Sequence, residues 1–435
     1  MTTSEKINIG IVGNGGREHA FAWKISQSTL LNKLFMLPGN GGTEVLGTNI
    51  PIDPLDFETV ANVCLENDIR LLVVGPEAPL VAGIVDFFDS KPDLKHITLV
   101  GPNKAGAMLE GSKDFSKQFM LRNGIPTAKA KTFGAMNVSE VDSWLNELEA
   151  PYVVKADGLA AGKGVVICES KEEAEKEIHA MIYDGKFASA GAKVVVEEFL
   201  DGIEVSVFAL SDGNSYILLP EAKDYKRIGE GDNGPNTGGM GAVSPVPFFD
   251  EVFKAKVIQR VVDPTFKSLQ HEGIYYQGFV FFGLINVAGE PYVIEYNARM
   301  GDPETEAVLP RIASDLVPLF LALKNQTLHQ FDIKVSAETT TTIVGVAEGY
   351  PGNYRKGDEI HISQTDNLGL LFHAGTRKDS NGKLLTNGGR VMAFTGIGST
   401  LEEALEQAKL SSNSAVWQGK FQRGDIGNDL GKLYV

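Results

Sequence analysis

The sequence predicts a multidomain chain that joins an α/β unit to α+β units. Three observations carry this prediction. Strands and helices alternate over the first hundred residues, hairpin-forming apolar runs dominate the middle, and short strands with one helix fill the last hundred. At 435 residues the chain exceeds one ordinary core. Domains are expected at 1–103, 104–330 and 331–435, with a lid subdomain over about 125–192 inside the second.

INIGIVG (7–13) reads as a buried strand followed by a helical stretch to about Gln27, and KLFMLPG (33–39) as a second strand. Phe57, Val60, Ala61, Cys64 and Leu65 fall at helical spacing, and RLLVVGPE (70–77) and ITLVGP (97–102) read as further strands. This alternation predicts an open parallel sheet, Rossmann-like, with ligands at the carboxyl ends of its strands. Three of those ends carry glycine loops: GNGG (Gly13, Asn14, Gly15, Gly16), PGNGG (with Gly39 and Asn40) and GPEAPL. The first is not a dinucleotide fingerprint. Its third glycine would fall at Glu18, and the second strand ends Met36-Leu37-Pro38-Gly39 without the ribose-binding acid. A single phosphate on the amides around Gly15–Arg17 is preferred over a ligand-free turn. His19 reads as a first-turn polar residue rather than a base.

A long helix is expected from Lys104 to about Asn123. PYVVKAD (151–157) and GVVIC (164–168) then flank GLAAGKG, a hairpin tip carrying Gly162, Lys163 and Gly164. Its spacing is not that of a P-loop, but a glycine-rich tip with a lysine suits a mobile flap over phosphates. Lys155, on the strand leading into the flap, suits another phosphate oxygen. After a charged helix (170–184), KVVVEEFLDG (193–202) and EVSVFALS (204–211) read as strands with a short break. Such a break offers backbone groups to an adenine edge and Glu204 to ribose hydroxyls, against a default of solvated carboxylates. Residues 221–247 read as a polar loop too long for mere connection, with Asp224, Lys226 and Arg227 ahead of six glycines.

GFVFFGLINV (278–287) and EPYVIEYNAR (290–299) form a hairpin around Gly289. In its second strand Glu295, Asn297 and Arg299 share a face. A carboxylate beside an amide oxygen suits Mg²⁺, and Arg299 suits bidentate hold on a carboxylate or phosphate. The tail from 331 reads as short strands and a helix at 401–412.

With 40 basic against 56 acidic side chains the net charge is −16, which argues against nucleic acid as the main partner. No run of 18 apolar residues suggests a membrane span. Cys64 and Cys168 lie in apolar surroundings, and the N-terminus lacks a basic-then-apolar signal, so a cytoplasmic location is expected.

The motifs GNGGREHA, VVGPEAPLVAG, LEGSKDFSKQFM, VVKADGLAAGKGV, EEFLDGIE, GPNTGGMGA, YNARMGDPET, HAGT, TNGGRV and DIG follow in order along essentially the whole chain. With them the sequence resembles the ATP-grasp ligases, and within these the phosphoribosylamine–glycine ligase family. The resemblance implies a pre-ATP-grasp N-terminal sheet, an ATP-grasp core of two α+β subdomains and a C-terminal α+β module. ATP would lie between two antiparallel sheets. Lys113, Lys155 and Lys163 would face its phosphates, with Gly162 and Gly164 in the flap; Glu197, Phe199 and Leu200 would meet adenine and Glu204 ribose. Glu295 and Asn297 would hold Mg²⁺ or Mn²⁺.

The implied substrates are glycine and 5-phosphoribosylamine, joined through a glycyl phosphate in purine synthesis; the alternative is another ATP-grasp carboxylate–amine ligase. Gly13, Asn14, Gly15, Gly16, Arg17, Gly39, Asn40, Asp224, Asn236, Thr237, Gly238, Gly239, Arg299 and Asp302 would line their sites, with Arg299 and Lys226 catalytic. A monomer is expected. Three positions depart from the family pattern: Val243 stands where Tyr is common, Tyr225 where His is frequent, and Asp429 where Arg is typical. The strand before EYN carries no acid, leaving two protein metal ligands.

Overall fold

A computed structural model describes residues 5–160, 164–363 and 369–433. Its N-terminal sheet comprises β1 (Ile7–Gly13), β2 (Leu31–Pro38), β3 (Thr48–Asn49), β4 (Ile69–Val74) and β5 (Thr98–Val100), all parallel in the order β3-β2-β1-β4-β5. The strand order reverses about β1, so the glycine loop after β1 opens into the crevice where such sheets bind ligands. The central strands β1 and β4 are largely apolar because both faces are covered. Ile9, Ile11, Met36 and Val73 pack towards Phe21 and Phe320, whereas Val12, Leu37, Leu72 and Val74 pack towards Val60, Cys64 and Phe88.

The single helix expected over 104–123 is two helices, Lys104–Gly111 and Lys113–Arg122. Ser112 breaks it: its backbone is extended (φ −141°) and its hydroxyl accepts the Phe115 amide as an N-cap. The cap also donates to Asp157 Oδ1 at 2.8 Å, tying Lys113 to the strand end below the flap.

Two antiparallel four-stranded sheets follow. The lid sheet holds Ala130–Gly134, Lys193–Glu198, Tyr152–Ala156 and Val165–Cys168 in that spatial order, with its own core of Phe133, Val154, Ile178 and Val196. The second holds Tyr216–Leu218, Ile203–Asp212, Gln277–Val287 and Glu290–Asn297. The break between Glu198 and Ile203 therefore carries the chain from one sheet to the other. The hairpin closes through Ala288 (φ 51°) and Gly289 (φ 84°), the two positive φ values of a tight turn matched to strand twist.

Residues 221–247 are not a plain loop. Lys223–Asp224 pairs with Gly241–Ser244, which pairs with Thr339–Val346, and Arg390–Gly398 and Leu370–His373 complete that five-stranded sheet. Glycine and polar residues masked these short strands, and the downstream partner of Gly241–Ser244 lies about a hundred positions away. Helix Leu401–Ser414, capped by Thr400, covers the sheet.

Candidate active site

Both antiparallel sheets, the β1 loop and the C-terminal region line one cleft of about 990 Å³. At its inner end Lys155 Nζ lies 3.0 Å from Glu197 Oε2 and Lys117 Nζ 3.2 Å from Glu197 Oε1, all three side chains buried. Burial alone would raise the Glu197 carboxyl, but Lys155 and Lys117 together hold it below its ordinary value. Glu197 is thus spent on two lysines, while Phe199, Leu200 and the strand break face the cleft. Lys113 Nζ donates to the Gly158 carbonyl at 3.1 Å. Gly164 lines the cleft; Gly162 and Lys163 lie outside the described residues.

Glu204 and Lys226, assigned separate roles above, form an ion pair at 2.6 Å, with Asp224 at 3.6 Å from the same ammonium. Beside them Glu304 is buried and accepts from Ser206 Oγ at 3.3 Å. Burial first, and the nearby Asp224 charge second, push its carboxyl up to about 7.

On the strand Glu290–Asn297 and just beyond, Tyr296 and Ala298 are buried, while Glu295, Asn297 and Arg299 alternate onto the cleft. Among the described residues no group of three or more His, Cys, Asp or Glu could hold a metal ion. One carboxylate and one amide oxygen still fit Mg²⁺, which keeps waters and phosphate oxygens as its other ligands. Arg299 is held from behind: Nη2 donates to Glu110 Oε1 at 2.7 Å and Nε lies 3.5 Å from Glu77 Oε2. Glu110 Oε2 also accepts the Ala298 amide at 2.7 Å.

At the β1 loop, Asn14, Gly15 and Arg17 line the cleft, with Gly13 and Gly16 behind them. The Gly15 amide, expected to hold phosphate, donates instead to Glu18 Oε2 at 2.6 Å. Arg17 pairs with Glu18 at 2.7 Å and reaches the Met300 carbonyl at 3.3 Å. Gly39 and Asn40 do not reach the cleft. Gly39 turns the chain at φ 77°, and Asn40 Nδ2 donates to the carbonyls of Asn14 (3.0 Å) and His373 (2.7 Å), bracing the loop.

Asn236, Thr237, Gly238 and Asp302 line the opposite wall, with Gly239 just beneath. Arg390 Nη1 donates to the carbonyls of Gly238 (2.7 Å) and Asp302 (2.6 Å), and the Gly238 amide donates to the Tyr350 hydroxyl at 3.0 Å. Glu77, Glu110, Lys117, Glu304, Tyr350 and Arg390 were not picked out from the sequence as site residues. All but Tyr350 stand inside motifs quoted above, which is the signal that could have found them. No helix among the described residues is long and apolar enough to cross a membrane.

Family models for phosphoribosylglycinamide synthetase match three successive stretches: its N domain at residues 7–110, its ATP-grasp (A) domain at 111–305 and its C domain at 340–429. The phosphoribosylamine–glycine ligase of Pasteurella multocida is 45% identical over 97% of both chains. That of Escherichia coli K12 is 42% identical over 96% of this chain and 97% of its own. The crystal structure of the Thermotoga maritima phosphoribosylamine–glycine ligase superposes with a TM-score of 0.84 at 35% identity, covering 97% of this chain and all of that one. The biotin carboxylase domain of a Hydrogenobacter thermophilus carboxylase shares the fold at 16% identity and a TM-score of 0.72. The chain belongs to the phosphoribosylglycinamide synthetase family of ATP-grasp ligases.

Proposed function

We propose that this chain joins glycine to 5-phosphoribosylamine with ATP as phosphoryl donor, acting as a cytoplasmic monomer in purine synthesis. The observation that carries this reading is the single cleft in which Lys113, Lys155, Glu295, Asn297, Arg299 and Arg17 all meet. Glycine's carboxylate is a poor electrophile until it accepts the γ-phosphoryl group. That transfer needs in-line positioning and neutralised charge. Lys113 and Lys155 supply positive charge along the phosphates. Glu295 and Asn297 would hold Mg²⁺ or Mn²⁺, which would neutralise phosphate charge. Arg299, fixed by Glu110 and Glu77, orients the carboxylate, and Lys226, held by Glu204 and Asp224, adds positive charge in the same cleft. The amine of 5-phosphoribosylamine then attacks glycyl phosphate; its nitrogen–carbon bond forms as phosphate leaves, and the amine proton passes to solvent. A closed cleft keeps water from the acyl phosphate.

ADP release should require glycine and 5-phosphoribosylamine together, measured by a coupled assay. Turnover with bicarbonate in place of glycine would overturn the assignment. Glu295→Gln should lower kcat at least a hundredfold, on the order of what one charge-stabilising group contributes, with the circular dichroism spectrum unchanged.

A further inference from the structure

Val243, Tyr225 and Asp429, the three departures from the family pattern, meet in one place. The Tyr225 hydroxyl donates to Asp429 Oδ1 at 2.5 Å and accepts from the Gly427 amide at 3.0 Å. Val243 lies in register with Lys223, and a Cβ on Gly427 would come within 3.5 Å of its Cγ2. Asp429 Oδ2 lies 3.1 Å from Lys223 Nζ, and that ammonium sits 3.8 Å from the centroid of the Tyr225 ring. The Arg423 guanidinium flanks the same ring at 5.3 Å, so a buried phenol stands between two cations. An arginine at 429 would face Lys223 with like charge; here an acid stands there and attracts it.

Lys223 and Asp429 both line the cleft. Lys226 first, with Lys223 contributing further, holds the Glu204 carboxyl below its ordinary value. The antiparallel bridge between Ser206 and Ala222 sets the Lys223 segment alongside the strand that carries Glu204, so the Lys223 ammonium adds to the positive charge that Lys226 places on the group assigned to ribose. The tail that carries Asp429 is itself clamped. Arg423 pairs with Asp232 at 2.7 Å and with Asp425 at 2.8 Å, and the Gly231 amide donates to Asp425 Oδ2 at 2.7 Å.

We propose that Asp429, carried by the C-terminal tail, is a positioning residue for nucleotide binding: with Tyr225 it fixes the Lys223 ammonium beside Glu204. The proposal rests on the reading that this end of the cleft takes ATP. Asp429→Asn keeps an oxygen acceptor for Tyr225 but removes the charge that holds Lys223. Tyr225→Phe keeps the charge and removes the bond. The probe is Mg-ADP, titrated by calorimetry into the full chain, which needs neither glycine nor the amine. Asp429→Asn should raise its Kd about five- to tenfold and Tyr225→Phe about two- to threefold, as expected for a partly buried ion pair and one hydrogen bond. In both, kcat at saturating substrate should change less than about twofold, since a ground-state contact is lost. Asp429→Glu should restore affinity.

An unchanged Kd in folded Asp429→Asn overturns the proposal, as does a fall in kcat and melting temperature with no change in Kd. If Asp429→Asn does not fold, an unchanged Kd in Tyr225→Phe overturns it equally. A wild-type chain that does not bind Mg-ADP overturns the nucleotide reading itself, and this proposal with it.

Discussion

Glu18 occupies the place where a dinucleotide-binding loop would carry its third glycine, and its neighbours show what that exchange requires. A Cβ on Gly75 would fall 2.1 Å from Glu18 Oε1, and one on Gly13 would fall 2.6 Å from Glu18 Cδ. The glycines make room for a carboxylate rather than for a pyrophosphate. That carboxylate takes the Gly15 amide and one edge of Arg17, so charge at the helix start is balanced from within. Gly13 also sits at φ 123°, where a side chain is strained regardless of space. Gly13→Ala should therefore destabilise by about 2 kcal/mol or more, strain and clash together. Gly124 is the control: its φ is 65° and nothing lies within 4 Å of its Cβ position. Gly124→Ala should cost only about 1 kcal/mol. Urea unfolding midpoints of the two variants test the difference, and equal losses would remove the role given to Glu18.

At the level of elements, helix Gly16–Ile25 is joined to the C-terminal strand Leu370–His373 through two histidines. The His373 amide donates to His19 Nδ1 at 2.8 Å, so His19 must keep a lone pair there. Burial pushes the His19 imidazole down to about 4 and the His373 imidazole down to about 3. Both fall below the value near 6.5 of an unfolded histidine. Their contribution is thus present above pH about 6.5 and lost as pH falls towards 4, because the unfolded chain takes up protons that the native one refuses. Glu110, pushed up to about 7 by burial, acts oppositely: its contribution is present below the unfolded value near 4.5 and lost as pH rises through 7. A difference measurement separates the two. His19→Asn keeps an acceptor and does not titrate, so its stability deficit at pH 7.5 should shrink by pH 4.5; a constant deficit would refute the buried-histidine account.

The same contact shows what the sequence made legible. The parallel sheet, its glycine loops and the Glu295-Asn297-Arg299 face follow from local periodicity, which adjacent residues determine. The strands at 223–244, Glu110 behind Arg299 and the histidine pair depend on partners up to 354 positions apart. No local pattern encodes such contacts. Ser112 lies between these cases, since an N-cap in mid-helix is readable once the helix is not assumed continuous.

Over the whole molecule a net charge of −16 surrounds a cleft meant for anions, and the cations inside are kept in place by acids of their own. Lys155 has Glu197, Arg299 has Glu110, Lys223 has Asp429, and Arg390 has Asp302 at 3.1 Å. Arg390 matters most for assembly because it comes from the C-terminal sheet yet holds two carbonyls, those of Gly238 and Asp302, on other parts of the chain. The Gly238 loop and the Asp302 turn thereby share one donor, and both border the wall assigned to glycine and the ribose phosphate. Arg390→Gln removes the charge facing Asp302 and leaves at least one of these carbonyls unpaired. The stability loss should be about 3 kcal/mol, in the range for breaking a partly buried charge pair. Arg390→Lys should recover only part of it, because a point charge cannot reproduce the guanidinium fork. The functional loss should fall on KM for glycine and 5-phosphoribosylamine, while Mg-ADP affinity stays within about twofold, since Glu204 and Lys155 do not touch Arg390. Urea denaturation with parallel nucleotide and substrate titrations decides it. Loss of nucleotide affinity in step with substrate affinity would show that Arg390 supports the cleft as a whole rather than its acceptor wall.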